Sequence, residues 1–148
     1  MSACKFVPPP DGQEQSAAGE TFTLAGRLVA KRGMGKSIFA DLRDSTGKIQ
    51  LYAGKNDLGD EAFGVFKKID IGDIIGVKGA LFLTKMGELT LRVAEVTLLS
   101  KSLRPLPEKF HGLTDVEQRY RQRYLDMIAN PEVIQIFKKR SAEPSLMA

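Results

Sequence analysis

The stretch of sequence that decides the fold is residues 26–52, which read GRLVAKRGMGKSIFADLRDSTGKIQLY. We interpret this stretch as three short strands joined by two tight turns. Successive side chains of a strand point to opposite faces. In the middle strand, Ser37–Arg43, Phe39 therefore lies on the polar face with Asp41 and Arg43. A large aromatic ring on a polar face indicates a contact with a ligand or with another part of the protein. The opposite face, which we predict to be the core face, carries Ile38, Ala40 and Leu42.

The next strand, Lys48–Ala53, repeats the alternation and turns Gln50 and Tyr52 outward. If the two strands pair through the turn at residues 44–47, Phe39, Arg43, Gln50 and Tyr52 share one outer face. Such a face suits an unstacked nucleic-acid base, because the ring stacks on the base and the polar groups contact its edge. The alternation alone leaves a second interpretation open, in which Phe39 packs beneath a loop or a flanking helix.

Composition excludes several classes of site. The chain has 148 residues, 43% of them hydrophobic, and contains one cysteine, Cys4, and one histidine, His111. A disulfide framework and a cluster of His or Cys metal ligands are therefore excluded, and we expect a reduced, cytoplasmic setting. We expect no membrane span, since no apolar run approaches the required length. The net charge of +4 is too small to indicate nucleic acid by itself.

The run Gly35-Lys36-Ser37 resembles the end of a phosphate-binding loop. That motif also requires a glycine five positions before Gly35, where Ala30 stands, and a helix after it, where the pattern predicts a strand. We instead predict a hairpin that places Lys31, Arg32 and Lys36 near the outer face, although basic residues on a turn are often simply solvated.

The order of the remaining elements predicts the fold class. After a flexible lead-in over residues 1–19, a long first strand begins near Thr21, and a short amphipathic helix covers residues 56–69. Two strands follow, a glycine-bent one over residues 74–83 and another from Glu88 to Leu99. Three strands, a helix and two strands is the order of an all-β, five-stranded OB barrel, with one short helix between strands 3 and 4. We assign this barrel to residues 20–100.

A proline-containing linker is predicted over residues 101–113, followed by two helices within residues 114–148. The first helix, residues 116–128, interleaves an apolar stripe with arginines, and the second begins at Pro131 after Asn130 as N-cap. Two helices cannot bury both stripes alone, so the stripes face a missing partner or pack back on the barrel. The arginines could also contact RNA.

Residues 21–141 resemble the N-terminal part of the bacterial-type class II lysyl-tRNA synthetases. The barrel stretch resembles the lysine, aspartate and asparagine enzymes alike. Three later runs resemble the lysine branch specifically: GDIIGVKGALFLTKMGELTL, SKSLRPLPEKFHGL and EQRYRQRYLDMIANPEV. The resemblance implies an anticodon-binding OB domain followed by the start of a class II catalytic domain. It also implies a cytoplasmic parent enzyme that uses ATP and magnesium to attach lysine to its tRNA.

In that family a uridine at the middle of the anticodon is held by stacking and edge hydrogen bonds. Matched motif by motif, the stacking ring is Phe39 in SIFADL, the amide is Gln50 in KIQLY, the carboxylate is Glu88 in MGELTL, and the basic residue is Arg32 in AKRGMGK. The implied partner is the anticodon stem-loop of a lysine tRNA. Further candidate RNA contacts are Lys31, Lys36 and Arg43.

The family is dimeric through its catalytic region, which makes Tyr120, Arg121 and Tyr124 candidate dimer contacts. The family pattern fails beyond about residue 141, where Pro144 is expected to break the last helix. We therefore expect a truncated chain with no catalytic residue, metal site or cofactor of its own. Two other functions stay open: a stand-alone OB protein that binds single strands, and an interaction module that docks a partner through its arginine-rich helix.

Overall fold

The computed structural model describes residues 20–84, 86–106 and 113–146. The predicted lead-in over residues 1–19 and residues 107–112 of the predicted linker lie outside this range. The chain divides into two compact units, the first ending at Ser102 and the second beginning at Leu103. Across the described residues, every helix is too short or too polar to cross a membrane.

The first unit is a closed barrel of five strands in the order β1-β2-β3-β5-β4. The β3–β5 pair is parallel, and the other four pairs are antiparallel. This architecture confirms the predicted five-stranded OB barrel with a helix between strands 3 and 4. The elements are β1 (Thr21–Met34), β2 (Ser37–Arg43), β3 (Lys48–Gly54), α1 (Lys55–Lys68), β4 (Ile74–Leu83) and β5 (Leu89–Ser100).

The core forms from the strand faces that alternation predicts. On β2, Ile38, Ala40 and Leu42 are all buried, and they join the inner residues of the other strands in one cluster. The helix α1 adds Phe63 and Phe66 to the same cluster, although its backbone is interrupted at Gly59. Burial of large apolar side chains stabilises the barrel by about 1.5–3 kcal/mol each.

The long strand β1 closes the barrel because its two halves pair with different strands. Residues 21–27 pair with β4, and residues 27–34 pair with β2. Gly26 lies where the partners change, and a Cβ there would come within 2.6 Å of the Arg43 carbonyl oxygen. A glycine is therefore required where the two strands approach most closely.

A β-bulge in β1 reverses its alternation: Leu28 pairs with Leu42, but Ala30 pairs with Asp41. One extra residue moves every later side chain to the opposite face. Lys31 consequently lies opposite the buried Ala40, away from the outer face.

At this position the Lys31 ammonium caps the C-terminal end of α1. It donates hydrogen bonds to the carbonyl oxygens of Phe66, Lys67 and Ile69, at 3.0, 2.9 and 2.6 Å. Partial burial lowers the pKa of the Lys31 side chain from its usual value. The prediction that Lys31 lies near the outer face is therefore wrong, because the bulge turns it inward.

The turn between β2 and β3 is held by Asp44. Its carboxylate accepts hydrogen bonds from the Thr46 hydroxyl at 2.7 Å and from the backbone N–H groups of Thr46 and Gly47 at 2.7 and 2.9 Å. These hydrogen bonds, led by the one from the Thr46 hydroxyl, hold the pKa of Asp44 below its usual value. The turn fixes the register that places Phe39 opposite Tyr52.

The second unit contains α2 (Val116–Arg121), α3 (Arg123–Ala129) and α4 (Pro131–Leu146). The prediction of one continuous helix over residues 116–128 is wrong, because the backbone leaves the helical region at Gln122. Residues seven apart in a straight helix are separated by about 10.5 Å along its axis. Across the break, the Arg119 Nε lies 2.8 Å from a carboxylate oxygen of Asp126, a fully buried residue that also binds Arg123.

The last helix also differs from its prediction. It runs through Pro144 to Leu146 rather than breaking at the proline. Pro144 falls in the final turn, so the hydrogen bond that it cannot donate affects only the end of α4.

Candidate nucleic-acid interface

The outer face of the barrel brings together a row of basic and aromatic residues from four elements of the sequence. Arg32 of β1 lies opposite Phe39 of β2, which lies opposite Tyr52 of β3, which in turn lies beside Arg92 of β5. Directly paired residues share one face of a sheet. The bulge that turns Lys31 inward is therefore also what places Arg32 beside the Phe39 ring.

The rings of this row form a connected aromatic surface. Phe39 and Tyr52 have centroids 5.2 Å apart at a tilt of 58°, and Tyr52 and Phe82 form an edge-to-face pair with centroids 6.1 Å apart. Phe39 is half-buried, whereas its neighbours Ile38 and Ala40 are buried in the core. The Phe39 ring therefore faces outward from the barrel, as the alternation of β2 predicts.

Gln50 lies two residues before Tyr52 on the same face of β3, and both ends of its amide are engaged. Its Nε2 donates to the Glu88 carboxylate at 2.9 Å, and its Oε1 accepts from the Thr90 hydroxyl at 2.9 Å. Glu88 is exposed at the start of β5, whereas Thr90 is completely buried. The predicted amide and the predicted carboxylate thus contact each other directly, and the second Nε2 hydrogen of Gln50 has no acceptor among the described residues.

A cavity of about 480 Å³ opens beside the aromatic surface. The Arg92 guanidinium lies over the Phe82 ring at 5.0 Å from its centroid. Its Nε is buried and has no hydrogen-bond partner among the described residues. The cavity therefore combines ring faces with positive charge. Its lining includes Lys36, Phe39, Tyr52, Lys55, Phe82 and Arg92.

The other candidate RNA contacts of the barrel occupy different positions. Lys36 is exposed on the turn between β1 and β2 and lines the cavity. Arg43 ends β2, opposite Lys48, on the same face as Phe39. Asp41, predicted to be on this outer face, does lie there but is buried, with Lys48 at 3.2 Å from its carboxylate. Lys31 lies outside the interface, since its ammonium caps α1.

The candidate dimer contacts lie on the surface of the second unit. Tyr120 and Tyr124 are exposed, and Arg121 forms a 2.7 Å ion pair with Glu117 one helical turn earlier. The Arg123 guanidinium lies over the Tyr120 ring at 4.9 Å.

Three interface residues received no role from the sequence: Phe82, Thr90 and Arg92. Alternation along the strand puts Thr90 and Arg92 on the same face as Glu88, and this signal could have identified both residues. Phe82 lay within an almost wholly apolar strand, but it shares a strand face with the exposed Lys78 four residues earlier. Alternation anchored at that lysine could have placed Phe82 on the outer face, where neighbouring groups bury its ring.

A closed five-stranded barrel with rings and amides across β2 and β3 has the geometry that OB folds use to bind oligonucleotides. The family model for the tRNA anti-codon domain, described as an OB-fold nucleic acid binding domain, matches residues 22–99. The chain belongs to this family. The match spans the barrel from β1 to β5 and includes every residue of the row and of the Gln50 network.

The chain as a whole is also similar to lysine–tRNA ligases. It is 58% identical over 118 residues to the lysine–tRNA ligase of Pelotomaculum thermopropionicum and 60% identical over 118 residues to that of Halalkalibacterium halodurans, which in both cases is 80% of this chain. It is 55% identical over 125 residues, or 84% of the chain, to the lysine–tRNA ligase of Xylella fastidiosa. The aligned part amounts to 23%, 24% and 25% of those three proteins, so the chain spans about a quarter of the length of the curated relatives it matches.

Proposed function

We propose that this OB domain binds the anticodon stem-loop of a lysine tRNA and selects a uridine at the middle position. The observation that carries the proposal is the Gln50 amide, held between Glu88 and Thr90 next to an outward pair of rings. The similarity to lysine–tRNA ligases supports the choice of tRNA.

Stacking on Phe39 supplies affinity in this proposal. An unstacked base lies on the outward ring face, an interaction worth ~1–3 kcal/mol per base. The Phe39 ring cannot distinguish one pyrimidine from another, because every base has a π-face. The choice of base therefore rests with the polar groups beside the ring.

Gln50 and Glu88 supply the choice of base. The free hydrogen of Gln50 Nε2 is a donor, and an ionised Glu88 is only an acceptor. Uridine carries a donor at N3 between two carbonyl acceptors, whereas cytidine carries an acceptor at N3. Stacking on Phe39 fixes the position of the base. In that position uridine N3–H donates to the Glu88 carboxylate, whereas cytidine N3 turns a lone pair toward the same carboxylate and leaves both acceptors without a donor. The site consequently favours uridine.

The basic residues around the rings position the RNA backbone. Arg32 stands in register with Phe39, and Lys36 and Arg92 line the cavity. Contacts of this kind orient the strand without reading its sequence. Arg32 and Lys36 therefore contribute a salt-dependent share of the affinity.

The deciding experiment is a titration of the chain with a lysine anticodon stem-loop and with the same stem-loop carrying cytidine at the middle position. The uridine stem-loop is expected to bind more tightly. Gln50→Ala is expected to reduce the ratio of the two affinities more than it reduces total affinity, because edge contacts specify and phosphate contacts position. Gln135→Ala, the same change at an exposed glutamine of α4, serves as the control. Equal binding of the two stem-loops by the unaltered chain would refute the proposal and favour a single-strand binding protein without base preference.

For the whole protein, we propose ATP- and magnesium-dependent attachment of lysine to tRNA in the cytoplasm, by a homodimer. The second unit then belongs to the catalytic part of that enzyme. The exposed rings of Tyr120 and Tyr124, together with Arg121, are the proposed subunit contacts, supported by their exposure. Sedimentation of the chain and of a Tyr120→Ala variant tests this part, and a chain that stays monomeric at every concentration would remove its support.

A further inference from the structure

The orientation of the Gln50 amide decides whether the proposed site presents a hydrogen-bond donor or an acceptor to a bound base. An amide presents donors at one end and an acceptor at the other, and rotation by half a turn exchanges them. In the structure Nε2 faces Glu88 and Oε1 faces Thr90. Glu88 suits only the Nε2 end, because an ionised carboxylate only accepts. The Thr90 hydroxyl donates to Oε1, and it would accept from Nε2 only if its proton turned to the more distant Glu88 carbonyl oxygen.

The two neighbours differ in how firmly they can hold the amide. Glu88 is exposed, stands where the β4–β5 hairpin enters β5, and is the group that a bound base would engage. Thr90 is 0% exposed and lies within β5, where it pairs with both Gln50 and the nearly buried Phe82. Its hydroxyl proton has two acceptors within reach, Gln50 Oε1 at 2.9 Å and the Glu88 carbonyl oxygen at 3.2 Å, and the shorter contact is to Gln50.

When a base donates to the Glu88 carboxylate, it competes with Gln50 Nε2 for that acceptor, and the Thr90 hydroxyl then supplies more of the restraint on rotation of the amide. Without it, Gln50 can turn Oε1 toward the base and offer an acceptor where the uridine carbonyl requires a donor. The same rotation offers an acceptor to the cytidine amino group. Loss of the Thr90 hydroxyl therefore weakens binding of the uridine stem-loop and removes an unfavourable contact with the cytidine stem-loop.

We propose that Thr90 is a positioning residue that fixes the orientation of the Gln50 amide and thereby sets the preference for uridine over cytidine at the stacked position. This inference rests on the proposed function and goes beyond it, because it assigns specificity to a buried side chain that does not contact the RNA.

The experiment measures the affinity ratio for the uridine and cytidine stem-loops with the full 148-residue chain and three variants. Thr90→Val keeps the branched shape and removes the hydroxyl, Thr90→Ser keeps the hydroxyl, and Thr97→Val makes the same change at an exposed threonine of β5. Thr90→Val is expected to reduce the ratio by roughly 2- to 12-fold, the equivalent of one neutral hydrogen bond. Thr90→Ser restores the ratio, and Thr97→Val leaves it unchanged.

A second readout separates positioning from a general loss of structure. Urea unfolding reports whether each variant is folded, and the side-chain amide resonances of Gln50 report its surroundings by NMR. In folded Thr90→Val these resonances are expected to shift and to broaden, while those of other glutamines stay in place. A ratio that is unchanged in folded Thr90→Val overturns the role of Thr90 and leaves the proposed function intact. An unaltered chain that does not distinguish the stem-loops overturns the proposed function itself.

Discussion

Replacement of Phe39 by alanine is the most direct perturbation of the interface, because it removes the outward ring and little else. The ring lies outside the core cluster and is half-buried, so its loss opens no internal cavity. What the fold loses is the contact with Tyr52 at 5.2 Å, worth about 0.5–1.5 kcal/mol for an aromatic pair. We therefore expect Phe39→Ala to stay folded.

The effect on RNA binding should be larger than the effect on folding. Loss of the stacking face removes ~1–3 kcal/mol, which raises Kd roughly 5- to 150-fold. Fluorescence anisotropy with a labelled lysine anticodon stem-loop, at one fixed salt concentration, measures the change. The salt dependence of binding should keep its slope, because no charge is altered.

Two further variants make the test specific to the ring. Phe39→Tyr keeps a π-face and is expected to bind within a few-fold of the unaltered chain, whereas Phe39→Leu keeps apolar volume without a π-face and is expected to resemble Phe39→Ala. If folded Phe39→Ala binds the stem-loop as tightly as the unaltered chain, Phe39 is not the stacking platform and the reasoning from the outer face fails.

Three other predictions concern the scaffold. Lys31→Met removes the ammonium that caps α1 and should lower the free energy of unfolding by about 1–2 kcal/mol, with no change in the salt dependence of RNA binding. Lys36→Met should change the salt dependence of RNA binding and not the stability. The reverse pattern in urea and salt titrations would contradict the assignment of Lys31 to the α1 cap and of Lys36 to the RNA interface. Gly79→Ala places a Cβ against the Arg92 carbonyl oxygen and should destabilise the barrel by about 1–3 kcal/mol. Gly64→Ala, with open space around its Cβ, should be neutral or stabilising, and similar melting temperatures of the two variants would contradict the close approach at Gly79. The carboxyl of Asp73 is buried, which by itself raises its pKa, but hydrogen bonds from a lysine side chain and two backbone amides hold the pKa below its usual value. The stability that the ionised carboxylate contributes is therefore present above pH ~4 and is lost as the pH falls through the lower pKa of the folded state. Asp73→Asn should flatten that part of the plot of stability against pH, and an unchanged acid transition would contradict the role of Asp73.

Much of the barrel follows from local pattern alone. The alternation of β2 and the turn residues after it predict the Ser37–Arg43 strand and its hairpin with β3, and the glycine-bent strand at Ile74–Leu83 has the predicted bounds. Local pattern suffices there because period-two burial depends only on neighbouring residues. The outward Phe39 and Gln50 follow from the same rule.

The helical unit shows where local pattern fails. The apolar stripe over residues 116–128 suits one helix, and no residue of that run is a proline or a glycine. The break at Gln122 accompanies the convergence of Arg119 and Arg123 on the buried Asp126 carboxylate. Ion pairs between residues of separate helices depend on how those helices pack, which helical periodicity does not encode.

The sequence by itself determined which strands form, which of their faces is apolar, and that a ring and an amide stand on the polar face of one hairpin. The family resemblance already named Arg32, but only the tertiary structure shows why Arg32 and not Lys31 accompanies them, since the bulge after Leu28 exchanges the faces of the two residues. It also decided that Thr90 and Arg92 lie beside Gln50 and Tyr52, 40 residues away in the chain, through the parallel pairing of β3 and β5. The physical reason is the same in both cases: register between strands is set by closure of the whole barrel, whereas alternation within a strand is set by its own neighbours.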